Sequence, residues 1–192
     1  GPADFDRFVL TAPSDPRLPG GGGYQIEGYD IKPAKVGVAG QPYVTLSRKY
    51  GDQTDKWNGV DATLNARPRP GLFFQGGVST GRTSTDNCDI RDDVPEVGAV
   101  NPYCHVDTRF LTQVKLLGTY TVPKVGVLAS ATFQSLPGPQ VTANYVAGNA
   151  VIIPSLGRAL SGGAQNATIN IVAPGTMYGE RLNQLDLRFA RP

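Results

Sequence analysis

The chain has 192 residues, including 24 Gly and 16 Pro, with 18% charged residues and a formal charge of +2. Lys and Arg form no run, so no nucleic acid is expected as a partner. No stretch approaches the ~20 apolar residues of a membrane helix, and Gly and Pro punctuate alternating segments, which argues for β structure with long loops. There is neither a start methionine nor a signal-peptide pattern, so a mature or cut piece is expected.

Residues 1–42 carry Pro13, Pro16, Pro19, the run Gly20 to Gly23, Pro33 and Pro42, and read as a long N-terminal loop or extension. Its one apolar stretch contains Phe5, Phe8, Val9 and Leu10. That stretch follows no strand of its own, and a flexible segment tethers it. It is therefore the candidate strand for donation to a neighbouring copy; the alternative is that it folds back over its own sheet. Tyr43 to Tyr50 reads as a short strand. From Trp57 to Arg67, Val60, Ala62, Leu64 and Ala66 alternate with Asp61, Thr63, Asn65 and Arg67. Period two means strand, because successive side chains leave a pleated backbone on opposite faces. Pro68-Arg69-Pro70-Gly71 reads as a tight turn, followed by a strand from Leu72 to Thr83 and a polar loop over 84–107.

The longest alternating stretch runs from Arg109 to Leu136. Val114, Leu116, Gly118 and Tyr120 share one parity before Pro123-Lys124, and Val127, Ala129, Ala131 and Phe133 share one after it. The interruption, with a Pro that cannot donate to a ladder, predicts an antiparallel hairpin. A long loop covers 137–179, with Asn166 to Val172 as a short strand within it, and Leu182 to Ala190 is the last strand, in the segment 180–192. The expectation is an all-β single domain over 1–192, with strands and hairpins in 43–136. It is an antiparallel meander of about five long strands, in which short turns alternate with long loops. Val60, Leu64, Phe74, Val78, Val114, Leu116, Val127 and Phe133 are expected to share one apolar outer face. Long strands with one apolar face suit both a transmembrane barrel, which needs roughly 9–11 residues per crossing, and a long-stranded sandwich. Short turns at one end and long loops at the other favour the barrel. The polar parity is filled by Gly, Ser, Thr, Asn and Gln in place of Lys and Glu, a set that a water-filled lumen tolerates.

Chemistry-bearing residues are sparse. Cys88 and Cys104 sit in one loop, and in an oxidising compartment they are expected to form a disulfide. Asp86, Asp89, Asp92, Asp93 and Glu96 crowd the same loop without the order of a calcium loop, and a solvated acidic loop is expected. His105 is the sole histidine, so no Ser-His-Asp constellation can be built. No catalytic group, cofactor or metal site is expected, and the chain reads as a non-enzyme. Trp57, Tyr43, Tyr50, Tyr120 and Tyr178 lie near strand ends, where barrels carry aromatic girdles.

Several stretches, LPGGGGYQIEGYDIKPAKVG, YGDQTDKWNGVDATLNAR, FQGGVSTGRTSTDNC, FLTQVKLLGTYTVP, FQSLPGPQ and PGTMYGERLNQLDLRF, resemble the C-terminal barrel part of TonB-dependent receptors. The similar branch is the one whose larger members carry a carboxypeptidase-regulatory-like domain. The resemblance implies an outer-membrane β-barrel that takes up ligands with energy delivered by TonB. Neither a plug domain nor a TonB box is present in the 192 residues. Two functions are therefore expected from this sequence. In the first, the chain is part of a receptor-like barrel in a bacterial outer membrane, partnered by the missing part of the barrel. In the second, it is a structural subunit at the cell exterior, partnered by other copies of itself in a filament or fibre built by strand pairing.

Overall fold

The computed structural model describes residues 1–38, 40 and 44–191. In chain order the elements are β1 (Phe5–Thr11), β2 (Gln25–Ile31), β3 (Thr54–Arg69), β4 (Leu72–Asp86), α1 (Cys88–Asp93), β5 (His105–Asp107), β6 (Leu111–Val122), β7 (Val127–Leu136), β8 (Asn144–Gly148), α2 (Asn149–Leu156), β9 (Asn166–Asn170) and β10 (Leu182–Ala190). Pairing is antiparallel and the fold is all-β, with the main sheet open and not closed into a barrel. The chain divides into two compact units, one of residues 1–56, 84–107 and 141–177, the other of residues 57–83, 108–140 and 178–192.

The first unit holds the buried core. β1 pairs with β2, placing Phe8 opposite Gly28 and Leu10 opposite Ile26. A Cβ at Gly28 would lie 2.5 Å from the Phe8 ring, so only glycine lets that ring lie against the neighbouring strand. β8 pairs with β9, and α2 packs against β1. Phe8, Leu10, Ile26, Ala147, Ile152, Leu160, Ile169 and Ile171 form one apolar cluster. Burying each of the large ones contributes roughly 1.5–3 kcal/mol. α2 stops at Gly157, whose left-handed φ of 77° lets its N–H bond the Ile153 carbonyl. The next residue, Arg158, reaches Asp6 at 2.7 Å, pairs with Asp30 and donates to the Ile31 carbonyl, tying the loop after α2 to the β1–β2 hairpin.

Three expectations change here. Residues 1–42 are not a loop, because β1 and β2 form a hairpin within them. The stretch holding Phe5, Phe8, Val9 and Leu10 is not free for donation. Phe8 and Leu10 are 1% and 2% exposed in the chain's own core, and the Val9 N–H donates to Ser155 Oγ at 2.7 Å. Residues 44–46 are irregular and Ser47–Lys49 form a 3-10 turn in place of the expected strand, with Val44 98% exposed; Tyr43 lies outside the described residues. The loops at 84–107 and 137–179 carry α1 and β5, and β8, α2 and β9, respectively.

The second unit is built on the long strands, in the order β10-β7-β6-β4-β3. Pro70-Gly71 turns β3 into β4, and Gly71 takes a φ of 76° there. Residues 123–126 turn β6 into β7, with Lys124 and Gly126 both at positive φ. The turn that begins at Pro123 therefore includes Val125, and β7 begins at Val127.

Candidate functional site

The long-stranded sheet has two chemically opposite faces, fixed by register. Across the β4–β6 and β6–β7 pairs, Val78 stands opposite Val114, Phe74 opposite Gly118, Leu116 opposite Phe133, and Val122 opposite Val127. Directly opposed residues share a face. β10 extends this face with Leu185, Leu187 and Phe189 opposite Phe133, Ala131 and Ala129. Leu64 lines one shallow depression with Phe74, Val78, Leu116 and Phe133, which places the apolar parity of β3, Val60 included, on that side. Among the described residues nothing of this unit covers the face. Val60, Leu64, Leu185, Leu187 and Phe189 are each more than 60% exposed. Soluble monomers rarely leave so many contiguous large apolar side chains in water.

Two Arg–aromatic pairs stand near the two ends of β6. The Arg82 guanidinium lies 5.6 Å from the Phe110 ring near one end, and that of Arg69 lies 5.0 Å from the Tyr120 ring near the other. Phe110 and Tyr120 are ten residues apart. That separation is about 33 Å along a strand, or roughly 25 Å for a strand tilted by about 40°. Beyond Val114 the same face turns polar, with Thr80 bonded to Thr112 at 2.8 Å and Ser135 to Asn183 at 2.6 Å.

The opposite face is mainly polar, with Lys115, Asp186 and Arg188 among its charged residues and Phe73 and Leu117 among its apolar ones. Gln75, Ser79, Gln113, Lys115, Thr132 and Gln134 line a depression of about 670 Å³ together with Asp61 and Asp186, and Val78, Leu116, Leu117 and Phe133 contribute apolar surface to it. Gln134 donates to Gln184 at 2.8 Å, and Gln184 donates to Asp186 at 2.9 Å, so amide side chains bridge neighbouring strands. At the end of β3 remote from the Pro70-Gly71 turn, the Trp57 indole lies over Gly59 and Gly81. A Cβ at either glycine would come within 2.5 Å of the ring. Trp57 is nevertheless 55% exposed. Sequence reading placed Trp57 only as an aromatic near a strand end. The signal available was the common parity of Trp57 and Gly59; the contribution of Gly81 depends on strand pairing.

In the other unit, Cys88 and Cys104 form a disulfide. Beside it, His105 Nδ1 lies 2.8 Å from Asp86 Oδ2, and Nε2 lies 3.2 Å from Asp107 Oδ2. Hydrogen bonds to Asp86 and then to Asp107 raise the His105 pKa above its ordinary 6.5. An imidazole that donates from both nitrogens carries a positive charge. Asp89 accepts the Asp52 N–H at 3.3 Å. Among the described residues, no group of three or more His, Cys, Asp or Glu is placed to hold a metal ion, and no helix is long and apolar enough to cross a membrane. Family models, curated proteins and solved structures give no match to the chain.

Proposed function

We propose that the long-stranded sheet is a wall segment of an outer-membrane transport barrel of the TonB-dependent receptor kind, with its apolar face against lipid and its amide-rich face toward a watery lumen. The single observation that carries this reading is the division of one sheet into an exposed, uncovered apolar face and a polar face. An outer-membrane strand alternates in this way. The strand lengths support it: β3, β4, β6, β7 and β10 have 16, 15, 12, 10 and 9 residues, against roughly 9–11 for a crossing. Ligand uptake is then the role of the completed barrel, in which this chain contributes no covalent chemistry.

A second reading rests on a different observation. β3 and β10 end the strand order, and their outer edges expose unpaired backbone groups to strands of other copies. A filament of copies at the cell exterior would satisfy them.

Flotation with phosphatidylethanolamine/phosphatidylglycerol vesicles separates the two. The transport reading expects the full chain to float with vesicles and to stay dispersed in detergent. A chain that remains a monomer in detergent-free buffer and ignores vesicles overturns both readings. Filaments that form in detergent and ignore vesicles overturn the transport reading alone.

A further inference from the structure

The charges of the long-stranded sheet are sorted along its strands. The chain carries 18 Lys and Arg against 16 Asp and Glu, a balance that predicts both signs on any stretch of surface. The tight-turn end of this sheet carries one sign. Residues 66–73, 119–130 and 187–191 hold Arg67, Arg69, Lys124, Arg188 and Arg191, and no Asp or Glu. Register brings these segments to the same end. Leu72 stands opposite Tyr120, Tyr120 opposite Ala129, and Ala129 opposite Phe189. All five cations are exposed. Among the described residues, no ion pair involves any of them.

Two of the five are held by rings instead of carboxylates. The Arg67 guanidinium lies 5.4 Å from the Phe73 ring, and that of Arg69 lies 5.0 Å from the Tyr120 ring. A cation over a ring face is positioned without being neutralised. Arg69, Lys124 and Arg191 fringe the apolar face where it ends. Arg69 lies on Tyr120, Lys124 sits in the turn after Val122, and Arg191 follows Phe189 by two residues. Phe189 is itself 72% exposed. The surface therefore passes from uncovered apolar side chains, through a tyrosine, to cations.

An anionic phospholipid has the same order of chemistry, from acyl chain through glycerol to a phosphodiester. The planar guanidinium fork fits phosphate oxygens, and the lysine supplies a point charge. A soluble polyanion would engage the cations and leave the adjoining apolar face in water, so continuity of the two surfaces favours lipid. We propose that Arg69, Lys124 and Arg191 form a rim that binds the headgroup phosphates of anionic phospholipid, an inference that rests on the membrane reading of the apolar face.

The test compares flotation of the full chain with phosphatidylcholine vesicles and with vesicles containing about 30 mol% phosphatidylglycerol. Each Lys or Arg close to an anionic surface strengthens attachment about fivefold, so the parent is expected to partition at least about tenfold more strongly into the anionic vesicles. The advantage should collapse in about 1 M salt, where the screening length falls to about 3 Å. Variants are compared once their far-UV circular dichroism matches the parent. The triple variant Arg69→Gln, Lys124→Gln, Arg191→Gln is expected to keep the neutral partition and lose the anionic advantage. The triple variant Arg48→Gln, Lys49→Gln, Lys56→Gln removes the same charge from the other unit and is expected to keep that advantage. Inorganic phosphate, at ionic strength matched with sodium chloride, should not reduce it further.

Equal partition of the parent into the two vesicles overturns the rim and leaves the membrane reading standing. Failure to float with either overturns both. An advantage that survives in the rim variant, or that both triple variants lose equally, refutes the assignment to these residues. Specific competition by inorganic phosphate would assign the rim to free phosphate and refute the lipid.

Discussion

Leu116 on β6 stands directly opposite Phe133 on β7 and Gly76 on β4, with Val114 and Gly118 on either side of it along its own strand, while Gln134, one residue further, points to the other side. A one-residue step therefore separates two environments. If the proposed lipid contact holds, Leu116→Arg is expected to destabilise the sheet by about 2–4 kcal/mol, the cost of a cation at bilayer mid-depth, and to reduce flotation with vesicles. Gln134→Arg is expected to leave flotation within error of the parent. Equal behaviour of the two variants in vesicle flotation and urea unfolding would defeat the assignment of faces.

Phe8 anchors the other unit, so truncating it removes the largest fully buried side chain of β1. Phe8→Ala is expected to cost about 3–5 kcal/mol, read from loss of near-ultraviolet dichroism in urea. Deleting residues 1–11 should unfold this unit instead of merely suppressing association. A deletion variant with intact near-ultraviolet dichroism would contradict the cis pairing of β1 with β2.

Arg158 holds two carboxylates at once, and the Asp30 side chain is only 11% exposed. Removing the cation leaves Asp30 without its main partner. Arg158→Ala is expected to cost roughly 2 kcal/mol, less than the about 3–5 kcal/mol of a fully buried pair because the guanidinium is partly hydrated. Arg158→Lys should rescue little, since a single ammonium does not reproduce the forked contacts to Asp6, Asp30 and the Ile31 carbonyl. Full rescue by lysine in thermal unfolding would refute this account.

His105 is the sole histidine, so one imidazole signal follows it by NMR. Its folded pKa is raised, first by the Asp86 hydrogen bond and then by Asp107. Its contribution to holding β4 against β5 is therefore complete below about pH 6.5. That contribution is lost as pH rises through the raised folded value. The expected titration midpoint lies above 6.5, and protease cutting within residues 88–104 should increase across that window. With the disulfide reduced the increase should be larger, since closing such a loop is worth roughly 3 kcal/mol. A midpoint at or below 6.5 would show that the carboxylates do not hold the imidazolium.

The long strands were legible because alternation in them is sustained: Val60 to Arg67, Val114 to Val122 and Leu185 to Phe189 each keep one parity apolar or glycine, and register preserves it. The apolar set on β10, Leu185, Leu187 and Phe189, follows from the same signal. β2 was missed because QIEGYDI breaks its pattern at Gly28, and that glycine is explained only by the Phe8 ring across the hairpin. The segment over 44–50 shows the converse. Its alternation of Val44 and Leu46 with Thr45 and Ser47 is strand-like, yet among the described residues no strand pairs with it. α2 is two turns long and interrupted by Pro154, so its helical period is too short to read. Arg158 carries no local signal either, because both carboxylates lie more than a hundred residues away in sequence.

The direction of the two edge strands has a geometric consequence. Reversing at each step from β3 through β4, β6 and β7, the meander brings β10 back to the heading of β3. Translated copies in the same orientation would therefore meet along a parallel seam, breaking the antiparallel rule that holds elsewhere in the sheet. An antiparallel seam between identical edges requires a two-fold rotation, which sends the long loops of alternate copies in opposite directions. A bilayer, whose two sides differ, disfavours that alternation. In a membrane the strands flanking β3 and β10 should accordingly run against them and belong to a different stretch of polypeptide, and these edges select for heterologous neighbours.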